Sequence, residues 1–545
     1  MIMSRKRPIG ERSISPTKSR NYKRDAYGES VESASSDSSG ESASVTSSKI
    51  ESMYLDTVDR ACLDFDFEQL CSVSLSNTNV YACLVCGKYY QGRGKQSHAY
   101  FHSINDDHHV FINLKTLKAY VLPDNYEVTD RSLNDVKDAI RPSYSQKIVE
   151  KLDTHCEPAY DLDGKMYFPG LVGLNRIKHN SYMNAVVQAL AHITPIRDAL
   201  LLLPHLDEQP VLLQKVAGLV RKMWHPRLFR AHVSPHEFVQ EVSNRSKRRF
   251  RLDFEGDPFE FLIWLLNTMH IDLGGTRKMG SSPIYSTFQG ELLATFQKLE
   301  DTKERTREDE PLQLDVSKML VTKKMPFLAL SLELPPKPLF ANTSGLGGDN
   351  NDGDDGREDI PQVALVTLLQ RYDGSTVIES NGQATKYQLL HLPRYIICHI
   401  KRFSGSRSLA EKNPTVVNFS LRNVPFSDIL PQNASDLHAG DITYDLIANI
   451  CHVGQQSHVP ANVDGEHLSA NKPQVAARPY TSSTSADASA KFSTSECPYI
   501  VYIRHFPSEK WYMLRDLQVE PIMPQMLFLS DSYIQIWRQN EKPSA

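Results

Sequence analysis

Between residues 55 and 130 the chain is rich in Cys, His, Tyr and Phe and poor in long apolar runs. It carries Cys83-Leu-Val-Cys86, followed by His98, His102, His108 and His109. A unit this small cannot bury enough apolar surface to fold on a core alone, so it needs a staple, and a metal is the usual one. The C-x2-C spacing lets two thiolates share one tetrahedral Zn²⁺, with histidines completing the set. Spacing alone does not separate His108 from its neighbour His109 as a ligand. The other cysteines, Cys62, Cys71, Cys156, Cys398, Cys451 and Cys497, are scattered. That pattern fits an intracellular metal site rather than a disulfide framework. Four protein ligands leave no open coordination position, so the zinc is structural rather than catalytic.

The 545 residues, 40% of them hydrophobic, suffice for further domains with sizeable cores. Net charge is −4, so the chain as a whole does not present itself to nucleic acid; any such contact is local or made through a protein partner. No apolar run approaches the ~18 residues of a membrane span, and no signal-type apolar segment follows the first methionine. We therefore expect a protein that is neither secreted nor membrane-bound. Residues 1–50 hold 14 serines and almost no large apolar side chains, the composition of a disordered tail. Its first 24 residues carry eight Lys/Arg against one Glu, and Arg5-Lys6-Arg7 and Lys23-Arg24 form basic clusters of the nuclear-import kind. The expected organisation is a tail over 1–50, a finger over 51–160 with a short helical connector from 131, and a large domain over 165–540. Two Gly/Asp- and Ser/Thr/Ala/Pro-rich stretches, 342–360 and 455–495, are expected to be mobile insertions.

Within the large domain, Met183, Val186, Val187 and Leu190 recur at i, i+3, i+4, i+7 and predict a helix with one apolar face. Pro195 ends that helix or starts the next. Asp257-Pro258 is an N-cap and N1 pair that opens a helix with an expected buried face of Phe259, Leu262, Ile263 and Leu266. Alternating and β-branched residues predict strands at Tyr395–His399, Tyr444–His452, Tyr499–Arg504, Trp511–Leu514 and Ser532–Trp537. The class is α+β, helices first and strands later.

Specific motifs narrow this further. Cys83-Leu-Val-Cys86-Gly87, Gly92-Arg93 and His98-Ala-Tyr-Phe-His102 through His108 resemble the UBP-type zinc finger. Matched residue by residue, Cys83, Cys86, His102 and His108 fill one site of that family. The other family site would use Cys71, Ser74, Gln91 and His98; two of its ligands are lost, so the resemblance implies one zinc per chain. Some fingers of this type hold the C-terminal di-glycine of ubiquitin with an arginine and an aromatic wall. Arg93 matches that arginine and Tyr81 lies near the aromatic position, but the pocket is incompletely matched, and Arg93 is read as part of a structural loop.

Residues 173–190, Gly-Leu-Asn-Arg-Ile-Lys-His-Asn-Ser-Tyr-Met-Asn-Ala-Val-Val-Gln-Ala-Leu, resemble the cysteine box of the ubiquitin-specific proteases (USPs). So do Asp257-Pro-Phe-Glu260-Phe261, Phe288-Gln289-Gly290, His399-Ile-Lys401-Arg402-Phe403 and Tyr444 through Gly454 with the later blocks of that family. The resemblance implies a papain-like USP fold behind the finger, without the fingers-subdomain zinc ribbon of many members. The chemistry departs from it. The nucleophile position holds Ser181 and the oxyanion position His179. The general-base position holds Pro498 and the orienting position Arg515. A serine hydroxyl needs an adjacent base, proline cannot accept a proton, and arginine disfavours an imidazolium. A local Ser181–His179 pair, or Cys451 or Cys497 as a displaced nucleophile, would be needed for residual activity. Finger plus degenerate protease domain resembles the USP-like family associated with the spliceosomal tri-snRNP. That resemblance implies a nuclear, non-catalytic scaffold that assembles or stabilises the tri-snRNP through its proteins, with any snRNA association indirect and ubiquitin binding weak or absent. A ubiquitin-recognition module and a deubiquitinase with a rearranged site are the alternatives.

Overall fold

Asp257 accepts hydrogen bonds from the backbone N–H of Phe259 (2.7 Å) and Glu260 (3.0 Å), so its side chain caps the helix Pro258–Asp272 as the Asp-Pro pair predicts. The computed structural model describes residues 54–155, 157–298, 320–336, 361–380, 383–404, 411–426, 442–453 and 498–540. The tail, both expected insertions, Cys156 and Cys497 lie outside the described residues.

The finger is a five-stranded antiparallel sheet in the spatial order Tyr89–Gln91, Val80–Cys83, Val110–Asn113, Ala119–Val121, Tyr126–Val128. One helix, His98–Asn105, packs beside it. The connector is helical at Asn134–Ile140 and Gln146–Val149.

Helices Ser181–Ala191, Thr194–Leu201, Val211–Met223, His236–Arg245 and Pro258–Asp272 then precede an eight-stranded sheet. Its main path runs Leu330–Glu333, Tyr395–Lys401, Ser532–Gln539, Thr443–His452, Tyr499–His505, Lys510–Arg515, Gln518–Ile522. Only the first pair on that path is parallel. All five predicted strands are present, each longer by one or two residues. The sheet is covered on both faces. In Tyr499–His505, Tyr499, Val501 and Ile503 join the helical core while Ile500 and Tyr502 join a second core on the far side, the period-2 division of a strand between two layers. A separate antiparallel sheet of four strands is built from Gly290–Lys298, Val321–Phe327, Asp373–Ser380 and Gln383–His391.

Two helix expectations change. The helix Ser181–Ala191 is buried on all sides, not on one face, because it lies between the other helices and strand Tyr499–His505. In Pro258–Asp272 the buried stripe is Phe261, Leu262, Leu265, Leu266 and Met269; Phe259 and Ile263 are only partly buried. Phe259 instead stacks on His399 with ring centroids 3.7 Å apart, which rotates the stripe relative to the sequence reading. Pro195 sits in the first turn of Thr194–Leu201 and so starts a helix.

The finger and the large domain fall in one compact unit that begins at Tyr54. Asp66 accepts from Lys222 Nζ (2.8 Å) and from the Ser234 backbone N–H (2.7 Å), and Lys222 also donates to the Phe65 carbonyl (2.9 Å). Arg230 pairs with Asp64 at 3.0 Å, and Phe229 packs against the finger's core.

Candidate functional site: a metal cradle and the cleft at Ser181

Cys83 ends a strand, and Gly87, at φ +72°, closes the turn that returns Cys86 beside it. A Cβ on Gly87 would meet the Cys62 carbonyl oxygen at 2.2 Å, so only glycine fits that turn. Helix His98–Asn105 delivers His102, and the loop after it delivers His108. One ligand atom from each of the four residues lies within 4.8 Å of all the others. Cys86 Sγ to His102 Nε2 is 3.3 Å, Cys83 Sγ to His108 Nδ1 is 3.7 Å, and His102 Nε2 to His108 Nδ1 is 3.0 Å. Tetrahedral zinc with Zn–S near 2.3 Å and Zn–N near 2.0 Å puts its ligand atoms about 3.3–3.8 Å apart, so the donor set fits the ion. Asp106 holds His102 Nδ1 at 2.5 Å and thereby turns Nε2 toward the sulfurs. The hydrogen bond between the two thiols pushes Cys86 well below its ordinary range and raises Cys83. His109 is engaged at both ring nitrogens, with the Leu122 carbonyl at 2.7 Å and Asp107 at 2.9 Å. It stands outside the cradle.

The other family position is filled by hydrogen bonds. The backbone N–H groups of Ser74 (3.4 Å) and Gln91 (3.2 Å) point at Cys71 Sγ, and the Ser74 hydroxyl donates to Gln91 Oε1 at 2.9 Å. Gln91 Nε2 continues to Ser76 and Thr78. Arg93 hydrogen-bonds Asn125, and its guanidinium lies 4.2 Å above the Tyr120 ring. Its charge is thus engaged within the finger.

In the large domain, Ser181 opens the buried central helix and is 1% exposed. Its hydroxyl donates to Glu255 Oε1 at 2.7 Å, not to His179. His179 Nδ1 lies 3.7 Å from the other Glu255 oxygen, half in solvent. Glu255 had no sequence signal of its own: it is one acid in the loop before the Asp257 cap. Burial raises its pKa, against the Ser181 hydrogen bond. Pro498 leads into strand Tyr499–His505, where its carbonyl accepts from Val453 N–H at 2.7 Å. Arg515 ends strand Lys510–Arg515. Their neighbours Tyr499 and Asp516 line one small cavity with Ser181 and Asn184, so the helix start and the two strand ends converge there.

The retained motif residues hold this convergence together. Asn184 donates to Asp516 (2.8 Å) and to the Asn175 carbonyl (3.3 Å), and Gln188 donates to the Val172 carbonyl (2.7 Å). A Cβ on Gly173 would strike the Leu517 backbone at 2.8 Å. Arg402, 1% exposed, donates to the carbonyls of Ser532 (2.6 Å), Asn413 (3.0 Å) and Thr415 (2.8 Å). These residues serve packing. The alternative thiol Cys451 is buried, with its pKa pushed up to about 12 by burial.

The family model for ubiquitin carboxyl-terminal hydrolases matches residues 172–537, and that for the zinc finger of ubiquitin hydrolases and other proteins matches residues 71–133. The chain belongs to the ubiquitin carboxyl-terminal hydrolase family. Within this family the assignment from motifs holds: a UBP-type finger followed by a USP domain of mixed helices and strands. The finger match and the four-residue cradle together support zinc binding. The chain is 40% identical over 502 residues to human "Ubiquitin carboxyl-terminal hydrolase 39", covering 90% of this chain and 80% of the relative. It is 37% identical to the "Probable mRNA-splicing protein ubp10" of Schizosaccharomyces pombe, covering 90% and 89%. To the "Pre-mRNA-splicing factor SAD1" of Saccharomyces cerevisiae it is 30% identical, covering 90% and 93%. Among solved structures it resembles the "essential yeast splicing factor" with a TM-score of 0.64 and 27% identity, covering 90% of this chain and all of that one.

Proposed function

We propose that this chain is a non-catalytic scaffold in pre-mRNA splicing that acts in the nucleus and assembles or stabilises the tri-snRNP. The observation that carries the reading is the cleft at Ser181. Ser181 stands at the nucleophile position with its hydroxyl given to Glu255, while Pro498 and Arg515 occupy the base and orienting positions. A carboxylate that accepts the serine hydrogen bond, with no imidazole at the base position, supports a packed polar contact rather than an acyl-transfer engine. Relatives that span nine-tenths of this chain carry splicing names. The intact packing of both domains is what a protein needs when its surface, not its cleft, is the working part.

Cys83, Cys86, His102 and His108 hold one structural zinc in this reading, and the basic clusters in residues 1–24 assist nuclear import. The recognition-module alternative is disfavoured by Arg93, which is engaged by Asn125 and Tyr120. Affinity purification of the full chain from nuclear extract tests the proposal. The tri-snRNP proteins are expected to be recovered, and a ubiquitin-amide reporter is expected to stay uncleaved by the purified chain. Recovery of ubiquitin conjugates without spliceosomal proteins, or reporter cleavage abolished by Ser181→Ala, would overturn it.

A further inference from the structure

Beside the cleft at Ser181, the loop from helix His236–Arg245 to helix Pro258–Asp272 reads Ser246-Lys-Arg-Arg-Phe-Arg-Leu-Asp-Phe254. Arg245, Lys247, Arg248, Arg249 and Arg251 are all exposed, on a chain whose net charge is −4. Arg245 pairs with Asp272 at 3.1 Å and Arg249 with Glu260 at 3.2 Å. Among the described residues, Lys247 and Arg248 have no ion pair. They also adopt φ of +53° and +63°, two successive non-glycine residues in the left-handed region, a costly backbone for side chains that pair with nothing here. The Arg248 N–H donates to the Ser243 carbonyl at 2.8 Å, which fixes this turn.

The nearby acids do not neutralise the ridge. Asp253 faces Lys178 at 3.6 Å, Glu255 holds Ser181, and Asp257 caps its helix and accepts from the Tyr533 hydroxyl at 2.6 Å. Phe254 is 61% exposed, with the Arg251 guanidinium 4.7 Å from its ring centroid. Arg248, Arg251 and Phe254 line one groove of about 350 Å³, together with Tyr182 and Glu255.

We propose that this ridge binds single-stranded RNA, with Lys247, Arg248 and Arg251 on the phosphates and a base stacked on Phe254. Phosphodiester charge complements unpaired cations, and a planar guanidinium beside an exposed ring is a platform for bases. An acidic peptide would use the charges and leave the ring without a partner. The inference goes beyond the scaffold reading, which requires protein contacts only.

The test uses the full chain with a fluorescent 12-nucleotide oligouridine, and in parallel the same oligomer carrying 4-thiouridine for cross-linking and peptide mapping. Lys247→Asn, Arg248→Asn and Arg251→Gln are combined in one variant; asparagine tolerates the left-handed backbone, and an unchanged melting curve shows the fold is kept. Loss of three phosphate contacts should weaken binding by about tenfold or more and flatten the slope of log K against log salt by about 2. Phe254→Ala should weaken binding by about fivefold or more through lost stacking. Cross-links are expected within residues 247–254. Adducts confined to the basic tail at residues 1–24, or a salt slope unchanged in the triple variant, would overturn the proposal. So would tighter binding of a polyglutamate peptide with no response to Phe254→Ala, which would make the ridge a docking site for an acidic protein.

Discussion

Removal of the Asp66 carboxylate should weaken the coupling of the finger to the large domain. Asp66 receives Lys222 at 2.8 Å and the Ser234 N–H at 2.7 Å, with its side chain 21% exposed and that of Lys222 17% exposed. Hydrogen bonds to a charged partner contribute about 1.5–3 kcal/mol each, and the two share one carboxylate, so they do not add fully. Stripping a buried ion of its partner costs about 3–5 kcal/mol, but Lys222 keeps the Phe65 carbonyl at 2.9 Å. Asp66→Ala is therefore expected to cost about 2–3 kcal/mol, and Asp66→Asn, which keeps an acceptor for Ser234, about 1 kcal/mol. All four tryptophans, Trp224, Trp264, Trp511 and Trp537, lie in the large domain, so urea unfolding followed by their fluorescence reports that domain alone. In the natural chain, chelation of the finger's zinc should lower the tryptophan-detected midpoint, because the finger braces helix Val211–Met223 through Lys222. In Asp66→Ala the midpoint should be lower at the outset and respond less to chelator. A double-mutant cycle with Lys222→Met should return a coupling of about 1–2 kcal/mol. An Asp66→Ala cost below about 0.5 kcal/mol, or a chelator response equal in both chains, would refute the idea that this clamp joins the two domains.

Three further outcomes follow from the site. Metal analysis of the purified chain should give one zinc, which acid should release as the cysteine and histidine ligands protonate, and His109→Ala should retain the metal while His108→Ala loses it. His192 is buried, with its Nδ1–H given to the Gln188 carbonyl, and burial pushes its pKa down to about 4. A folded pKa below the ordinary 6.5 means stability present above about pH 6.5 and lost as pH falls toward 4, so His192→Gln should reduce the acid loss between pH 7.5 and pH 5 by about 2 kcal/mol, leaving the loss that buried His399 and His505 add for the same reason. Ser181→Cys should not create a deubiquitinase on a ubiquitin-amide reporter, because the new thiol would face the Glu255 carboxylate and no imidazole stands at Pro498; a burst of product from this variant would refute that account.

What could be read in advance divides along physical lines. Local chemistry was legible: the Asp257 cap, Pro195 at a helix start, the Cys83/Cys86 pair and the strands of the last third all follow from nearest-neighbour rules. Two misreadings arose where packing overrode pattern. The face of Met183, Val186, Val187 and Leu190 was real, yet its helix is buried all round because strand Tyr499–His505 covers what would otherwise face water. The stripe of Pro258–Asp272 was mis-phased because Phe259 found His399, distant in sequence. Glu255 and Asp66 were invisible for the same reason: each acquires its role from a partner 74 and 156 residues away, respectively. His109 differs from His108 by a hydrogen bond to the Leu122 carbonyl, which no spacing rule supplies.

The central claim is that the protein works in splicing without using its cleft. The most direct measurement is complementation of a splicing extract depleted of this protein, with purified full chain carrying Ser181→Ala together with Glu255→Gln. The account predicts that the double variant restores spliced product and tri-snRNP levels as fully as the natural chain. Failure of this folded variant, with rescue by the natural chain, would contradict it and return the cleft to the function.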